Sequence, residues 1–280
     1  MLPLVLTILC STAIVMILKF SYLNKGNAVI LLCGNYFTAS IISLILLLTK
    51  NKFIYSNETF LFGIILGLFF FAGFFVFTKA VSKAGASLSA VSSRLSVIIP
   101  VSLSILIFGE VPTYLQLLGI IIAIVTIILF YLSVKNSSTG KFSRNDYFYL
   151  LILLILIGIN DFCFKIFKDW RPAEETDLFI LTIFSFAFLY SFIYIILRKI
   201  KIDFKTVAAG TVLGIPNVFS SYFMLAALNK LPAIIVYPAI NIGIILLTTL
   251  AAFLIWKEKM NTYGKWATVI GITAIFLLSK

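Results

Sequence analysis

The sequence predicts an all-helical integral membrane protein, with ten transmembrane helices arranged as two inverted five-helix repeats around a central cavity. Three observations carry this. Apolar residues make up 62% of the chain and charged ones only 11%, with a mean hydropathy of +1.15. Soluble domains hold about 45–50% apolar and about 25% charged residues, so much of this surface must face lipid. Apolar runs near the ~20 residues that a helix needs to cross hydrocarbon recur ten times. Finally, the two halves of the chain close on the same pattern of residues.

The runs fall at 3–20, 28–49, 59–80, 86–108 and 113–134, then at 147–166, 177–197, 205–228, 232–256 and 262–279. The first starts apolar at Leu2, with no basic segment before it and no small-residue cleavage site. It therefore reads as a retained helix and not a signal peptide. The second carries Asn35 and Tyr36, and Gly63, Gly67 and Gly73 mark the third as a close-packing helix. The fourth contains Arg94 and Pro100. Pro100, Pro232 and Pro238 are expected to bend helices around a cavity, where neighbours can satisfy the freed carbonyls. Between the fifth and sixth runs, Lys135 to Asp146 includes Asn136-Ser137-Ser138-Thr139-Gly140 and reads as a flexible linker. It separates a first repeat, 1–134, from a second, 147–280.

Each half ends with an apolar helix, a tight turn holding one glutamate, and a last helix. The turns are Gly109-Glu110 and Lys257-Glu258, and Thr113-Tyr114 and Thr262-Tyr263 open the last helices. Both glutamates are expected at the interface, at a helix start where negative charge is favoured. Five spans per half is an odd number, so the second half enters the membrane in the opposite sense. Inverted repeats are the architecture of alternating access.

Net charge is +12, yet Lys and Arg sit in the short gaps between runs and form no stripe. They suit lipid headgroups, not nucleic acid, and the cluster Arg198, Lys199, Lys201 and Lys205 fits a solvated loop. Fourteen Lys and Arg residues fall in loops opposite the termini and seven on the terminus side, which by the positive-inside rule puts the termini outside. Cys10, Cys33 and Cys163 lie inside apolar runs without CxxC spacing, and the chain has no histidine. No zinc site and no cofactor are expected. No phosphate-binding GxxxxGK[ST] occurs, so nothing points to ATP use. An intramembrane enzyme wants a nucleophile–base pair or a metal cluster, and without either the chain is expected not to be one. The expected partners are a small-molecule substrate and the bilayer, with monomer and homodimer both open.

Charges at membrane depth cost at least ~2.5–3.5 kcal/mol each and usually face a cavity or a partner. Arg94, within Ser92-Ser93-Arg94-Leu95-Ser96, keeps its charge at any accessible pH and offers a planar fork suited to carboxylate or phosphate. It reads as an anchor for an anionic or zwitterionic solute, or else as one half of a structural ion pair. Asp161 reads as a proton carrier or cation ligand, or as a salt-bridge partner of Arg94 or Lys165. Asn35, Tyr36, Asn217, Ser220, Ser221, Tyr222, Tyr237 and Asn241 could hydrogen-bond a solute or join helices. Tyr237 and Asn241 are four apart and share a helix face. Counting back from the two glutamates, Asn241 corresponds to Ser93, beside Arg94. Arg94, Asn241, Tyr237, Asn35, Asn217, Tyr222 and Ser93 are the candidate substrate-binding residues.

Tyr237-Pro238-Ala239-Ile240-Asn241-Ile242-Gly243-Ile244-Ile245, with Trp256-Lys257-Glu258-Lys259, is similar to the third and fourth helices of small multidrug resistance proteins. Leu9 to Ser21, ending Lys19-Phe20-Ser21, is similar to their first helix. Pro100, ten residues before Glu110, and Gln116-Leu117-Leu118-Gly119 fit the EamA pattern. The whole chain thus resembles the drug/metabolite transporter superfamily in its ten-helix, EamA-type form. The resemblance implies a secondary transporter of a small metabolite, which is amino-acid-like or otherwise anionic or zwitterionic if Arg94 grips a carboxylate. It also implies export or exchange across the bacterial inner membrane and cytoplasmic termini, against the charge count, so the orientation stays open. A flippase of a lipid phosphate on the same fold is the first alternative, and a non-transporting membrane receptor or an intramembrane enzyme comes behind it. The acidic position of the small multidrug resistance first helix is Ser11 here, while Asn160 and Asp161 fall at that depth in the second repeat. Those two are the coupling candidates.

Overall fold

The computed structural model describes residues 1–24, 26–49, 54–84, 86–137, 144–257 and 261–280. Regular structure among them is helical throughout. The first half comprises α1 (Leu2–Leu23), α2 (Ala28–Thr49), α3 (Asn57–Ala84), α4 (Ala86–Leu95), α5 (Ile98–Phe108) and α6 (Tyr114–Ser137). The second comprises α7 (Arg144–Trp170), a 3₁₀ turn at Ala173–Glu175, α8 (Thr176–Leu197), α9 (Phe204–Leu228), α10 (Ala233–Trp256) and α11 (Thr262–Leu278). Nine segments of the described chain are long and apolar enough to cross a bilayer, α4 and α5 together making one, and the 17-residue α11 adds a shorter tenth. With lipid-facing side chains such as Leu48, Leu61, Ile65 and Leu254 more than half exposed, the chain is a multi-pass integral membrane protein.

The halves interleave. α2 packs on α8 and α9, α3 on α7 and α8, α1 on α9 and α10, α4 and α5 on α7, and α6 on α11. Exchanging each span of one half for its counterpart leaves these principal contacts unchanged, as two inverted repeats about an axis in the membrane plane require. The fully buried large side chains, among them Tyr237, Phe167, Phe179, Phe184 and Leu66, fill the interface between halves.

Matched residues stand 147 positions apart along α3 and α9. Ser56 accepts the Thr59 N–H at 3.4 Å at the start of α3, and Asp203 accepts the Thr206 N–H at 3.0 Å at the start of α9, each a side-chain N-cap. A Cβ on Gly210 would lie 2.2 Å from the Leu31 carbonyl oxygen, and one on Gly214 2.5 Å from that of Asn35. In the other half a Cβ on Gly63 would meet Thr182 Cβ at 2.7 Å, and one on Gly67 the Ile183 carbonyl oxygen at 2.8 Å. These small-xxx-small pairs let backbones touch where lipid supplies no hydrophobic drive.

Three expectations change in detail. The fourth span is two helices, because Pro100 lacks the N–H that would bond the Ser96 carbonyl. Ser96 instead accepts from Ile99 at 2.9 Å, and Arg94 from Val97 at 3.3 Å, a tighter turn that ends α4. Pro232 bends nothing; it precedes α10 as its N-cap residue. The ends of the linker are helical, since α6 runs to Ser137 and α7 begins at Arg144. Residues 138–143 and Glu258 lie outside the described residues.

Candidate functional site

Arg94 occupies the last turn of α4, in the middle of the fourth span. The carbonyls at a helix C-terminus carry partial negative charge, so the break that Pro100 imposes gives a membrane-embedded cation a favourable place. Ser93 and Ser96 reinforce the end of the helix by donating to the Ala90 and Ser93 carbonyls at 2.7 and 2.6 Å, bonds that compete with regular helix. Beside the break lies an apolar cavity of about 150 Å³ lined by Val97, Ile98, Val101, Ile120 and Pro238, which neither Arg94 nor Asp161 lines.

Across the interface, α10 presents Asn241, whose Oδ1 is a long 3.5 Å from Arg94 Nη1. Its Nδ2 donates to the Tyr237 carbonyl at 3.0 Å. Tyr237, fully buried, donates its hydroxyl to the main-chain carbonyl of Asp161 at 2.5 Å. Asp161 is thereby held on α7 within the electrostatic reach of Arg94. The two are not in contact: the described ion pairs within 4.0 Å do not include them. Arg94 and Asp161 are both half-buried. The centre therefore holds a guanidinium from the first half and a carboxylate from the second, close enough to feel one another and set apart.

Of the residues singled out from sequence, Arg94, Asn241, Tyr237 and Asp161 converge here. Ser93 lies beside Arg94 with its hydroxyl turned back on its own helix. The others occupy seams. Asn217 Nδ2 donates to Asn35 Oδ1 at 3.1 Å between α9 and α2. Tyr222 donates to Asp177 at 2.9 Å at the start of α8. Asn160 faces α3, its Nδ2 a long 3.4 Å from the Phe69 carbonyl and its Oδ1 buried without a protein partner. Ser11 and Ser220 pair at 2.8 Å.

A second polar constellation lies on the membrane face that carries the termini. Glu110, in the turn after α5, accepts the Ala233 and Ile234 N–H groups at 3.0 Å each. It also pairs with Lys165 Nζ at 2.5 Å, which pairs with Asp169 at 2.7 Å and stands 5.1 Å over the Phe108 ring. Nearby, Arg171 binds Glu175 at 2.9 Å, Thr59 Oγ1 at 2.9 Å and Glu58 at 3.1 Å, while the Thr59 hydroxyl donates to Glu175. Glu110 is at a helix start, as expected, but the helix its carboxylate serves is α10 of the other half. One signal was available: α10 starts with Pro232-Ala233-Ile234-Ile235, which holds no side chain able to cap it, so its free N–H groups must find an acceptor elsewhere.

Residues 1–132 match the EamA-like transporter family. An uncharacterized protein of Haemophilus influenzae is 30% identical, the alignment covering 98% of this chain and 96% of that one. A solved crystal structure superposes with a TM-score of 0.77 over 98% of each chain at 13% identity, a likeness of fold alone. Doubled five-helix architecture, a polar centre built from both halves and these matches agree. The chain belongs to the EamA-like transporter family, within the drug/metabolite transporter superfamily.

Proposed function

We propose that the chain is a secondary transporter that moves a small zwitterionic metabolite, of amino-acid type, by alternating access between the repeats 1–134 and 147–280. It acts as an exporter or exchanger in the bacterial inner membrane and as a carrier, not an enzyme. The reading rests on one observation, that Arg94 and Asp161, each from a different half, lie within electrostatic reach of one another and form no ion pair. A carboxylate on Arg94 and an ammonium on Asp161 would neutralise both charges at once and draw the halves together. Asn241 steadies the guanidinium, and Tyr237 fixes the backbone under the carboxylate. When substrate is absent, Asp161 is the group on which a proton or other coupling cation would ride.

The test is a thermal-shift panel on purified protein with amino acids, the amines and carboxylates left when one of their charged groups is removed, and lipid phosphates. A ligand at a hundred times its Kd stabilises the folded state by about 2.7 kcal/mol. Amino acids should raise the melting temperature and the single-charge analogues should not. Arg94→Ala should weaken binding by about 2–5 kcal/mol, the usual cost of stripping one partner from a buried charge pair. Arg94→Lys should recover part of it, having the charge without the bidentate fork. A response to lipid phosphates alone would replace the metabolite by a lipid, and unchanged affinity in both variants would return Arg94 to a structural role.

A further inference from the structure

We infer that Glu110 is the latch of a gate on the terminus-side face, and that the conformation described is the one in which this gate is shut. The inference rests on the alternating-access reading and adds the element that alternates. Glu110 belongs to the first half, and every group it holds belongs to the second: the Ala233 and Ile234 N–H groups of α10 and the ammonium of Lys165 on α7. The contact is buried, with side-chain exposures of 5% for Lys165 and 11% for Glu110. It is thus a single carboxylate across the mouth between halves, satisfying both first-turn donors of a helix that has no side-chain cap of its own.

Two physical features suit this contact to opening. It lies at the membrane face, where water can take over the carboxylate, the ammonium and both N–H groups once they part. The glycine seams are different, since they hold backbone against backbone inside the membrane, where nothing can replace the contact. The latch is also tied to the substrate-facing centre by one continuous helix. Ala233, Tyr237 and Asn241 lie one turn apart along α10, so a shift of its first turn is passed to the residues that hold Asp161 and touch Arg94. A contact with two discrete arrangements, coupled to a site, is what a population-shift switch needs.

The experiment reads conformation without any substrate. In a background with Cys10, Cys33 and Cys163 replaced by serine, Ile234→Cys puts a thiol at a position 1% exposed. Its labelling by a membrane-impermeant maleimide in proteoliposomes reports opening of the terminus-side mouth. Glu110→Gln should raise the labelling rate at least tenfold. Lys165→Gln, which leaves Glu110 on the helix terminus, should raise it by a smaller factor and decides the matter should the first variant not fold. Unchanged labelling in the folded variants, even with a lower melting temperature, makes Glu110 a strut and overturns the latch. A wild-type protein that binds no zwitterion removes the substrate reading and leaves the labelling result standing.

Discussion

The fourth span and the ninth are counterparts that the placement of a proline in each sets apart. In the fourth, Pro100 falls mid-membrane, the chain turns at Ser96–Val97, and two half-helices expose their ends to the centre. In the ninth, Pro238 lies six residues into α10, and the helix runs unbroken to Trp256. The broken member carries the obligate charge, and the continuous one carries Asn241 and Tyr237, which answer it. Symmetry of architecture thus coexists with asymmetry of chemistry: one half presents helix ends and a cation, the other a continuous helix with an amide and a hydroxyl, and a carboxylate on α7. The lesson is that the repeat supplies two frames, and helix breaking decides which of them holds the charge.

Substitution of matched positions can break or sharpen this contrast. The largest effect is expected at the glycine seams. Gly210→Ala drives a methyl into the Leu31 carbonyl at 2.2 Å, backbone on backbone, whereas Gly63→Ala meets the Thr182 side chain. Overpacking costs typically about 1–3 kcal/mol; Gly210→Ala should sit at or above the top of that range and Gly63→Ala inside it, since Thr182 Cβ at 2.7 Å moves only with its backbone, read as melting temperatures in detergent. Equal losses would mean the two seams are equally rigid. Next comes the break itself. Pro100→Ala restores the donor for Ser96, should join α4 to α5, and should weaken binding of the best ligand about tenfold, or ~1.4 kcal/mol. Pro238→Ala should leave binding within about a factor of two. If binding survives Pro100→Ala, the helix end is not what places Arg94.

A smaller effect separates the helix stops. α5 ends on Gly109 at φ 64° and α10 on Lys257 at φ 54°, both left-handed. That conformation costs a side-chain-bearing residue about 1–2 kcal/mol and glycine nothing. Lys257→Gly should therefore stabilise by about 1 kcal/mol and Gly109→Ala destabilise by as much, compared by thermal unfolding. The smallest difference is between the caps of α3 and α9. The Thr206 hydroxyl and N–H, both donating to Asp203, hold its carboxyl below its ordinary value of 3.8. Its folded-state value is depressed, so its support for α9 is complete above that ordinary value and is lost as pH falls towards the lowered one. Ser56, the matching cap, does not titrate. Amide protection in the first turn of α9, corrected for the intrinsic pH dependence of exchange, should fall below about pH 4, and in α3, where the Ser56 hydroxyl donates to Glu58 at 2.9 Å, it should stay level once Glu58 is replaced by Gln.

Much of this was legible in the residues. Ten apolar runs and the doubled glutamate turn gave the span order, because hydrocarbon admits few alternatives to helices. Arg94 stood out because a cation at that depth must be accommodated. The converging partners Asn241 and Asp161 were visible as polar residues on apolar spans. What polarity alone could not separate was a lining residue from a seam residue: Asn35 and Asn217 satisfy one another, and Tyr222 is taken by Asp177. The break at Ser96–Val97 was also hidden, since the same Pro100 can kink a helix or end it. The reach of Glu110 to α10 depends on how two distant halves interleave, which no local pattern encodes.

That interleaving has a consequence for biogenesis. The principal helix contacts run between halves, α2 with α8 and α9, α3 with α7 and α8, α1 with α9 and α10, α6 with α11. The ribosome delivers the first half first, and until α7 to α11 follow, its glycine faces and Arg94 have no mates. Apart from α4, which also packs on α3 and α6, the early helices must wait in lipid largely as independent inserts, the first stage of a two-stage assembly. Contacts so distant in sequence are slow to form, since loop closure must precede them. A chain truncated after α6 would therefore be expected to insert and yet never acquire tertiary structure, a natural substrate for membrane quality control. The same two halves supplied as separate chains would be expected to find one another.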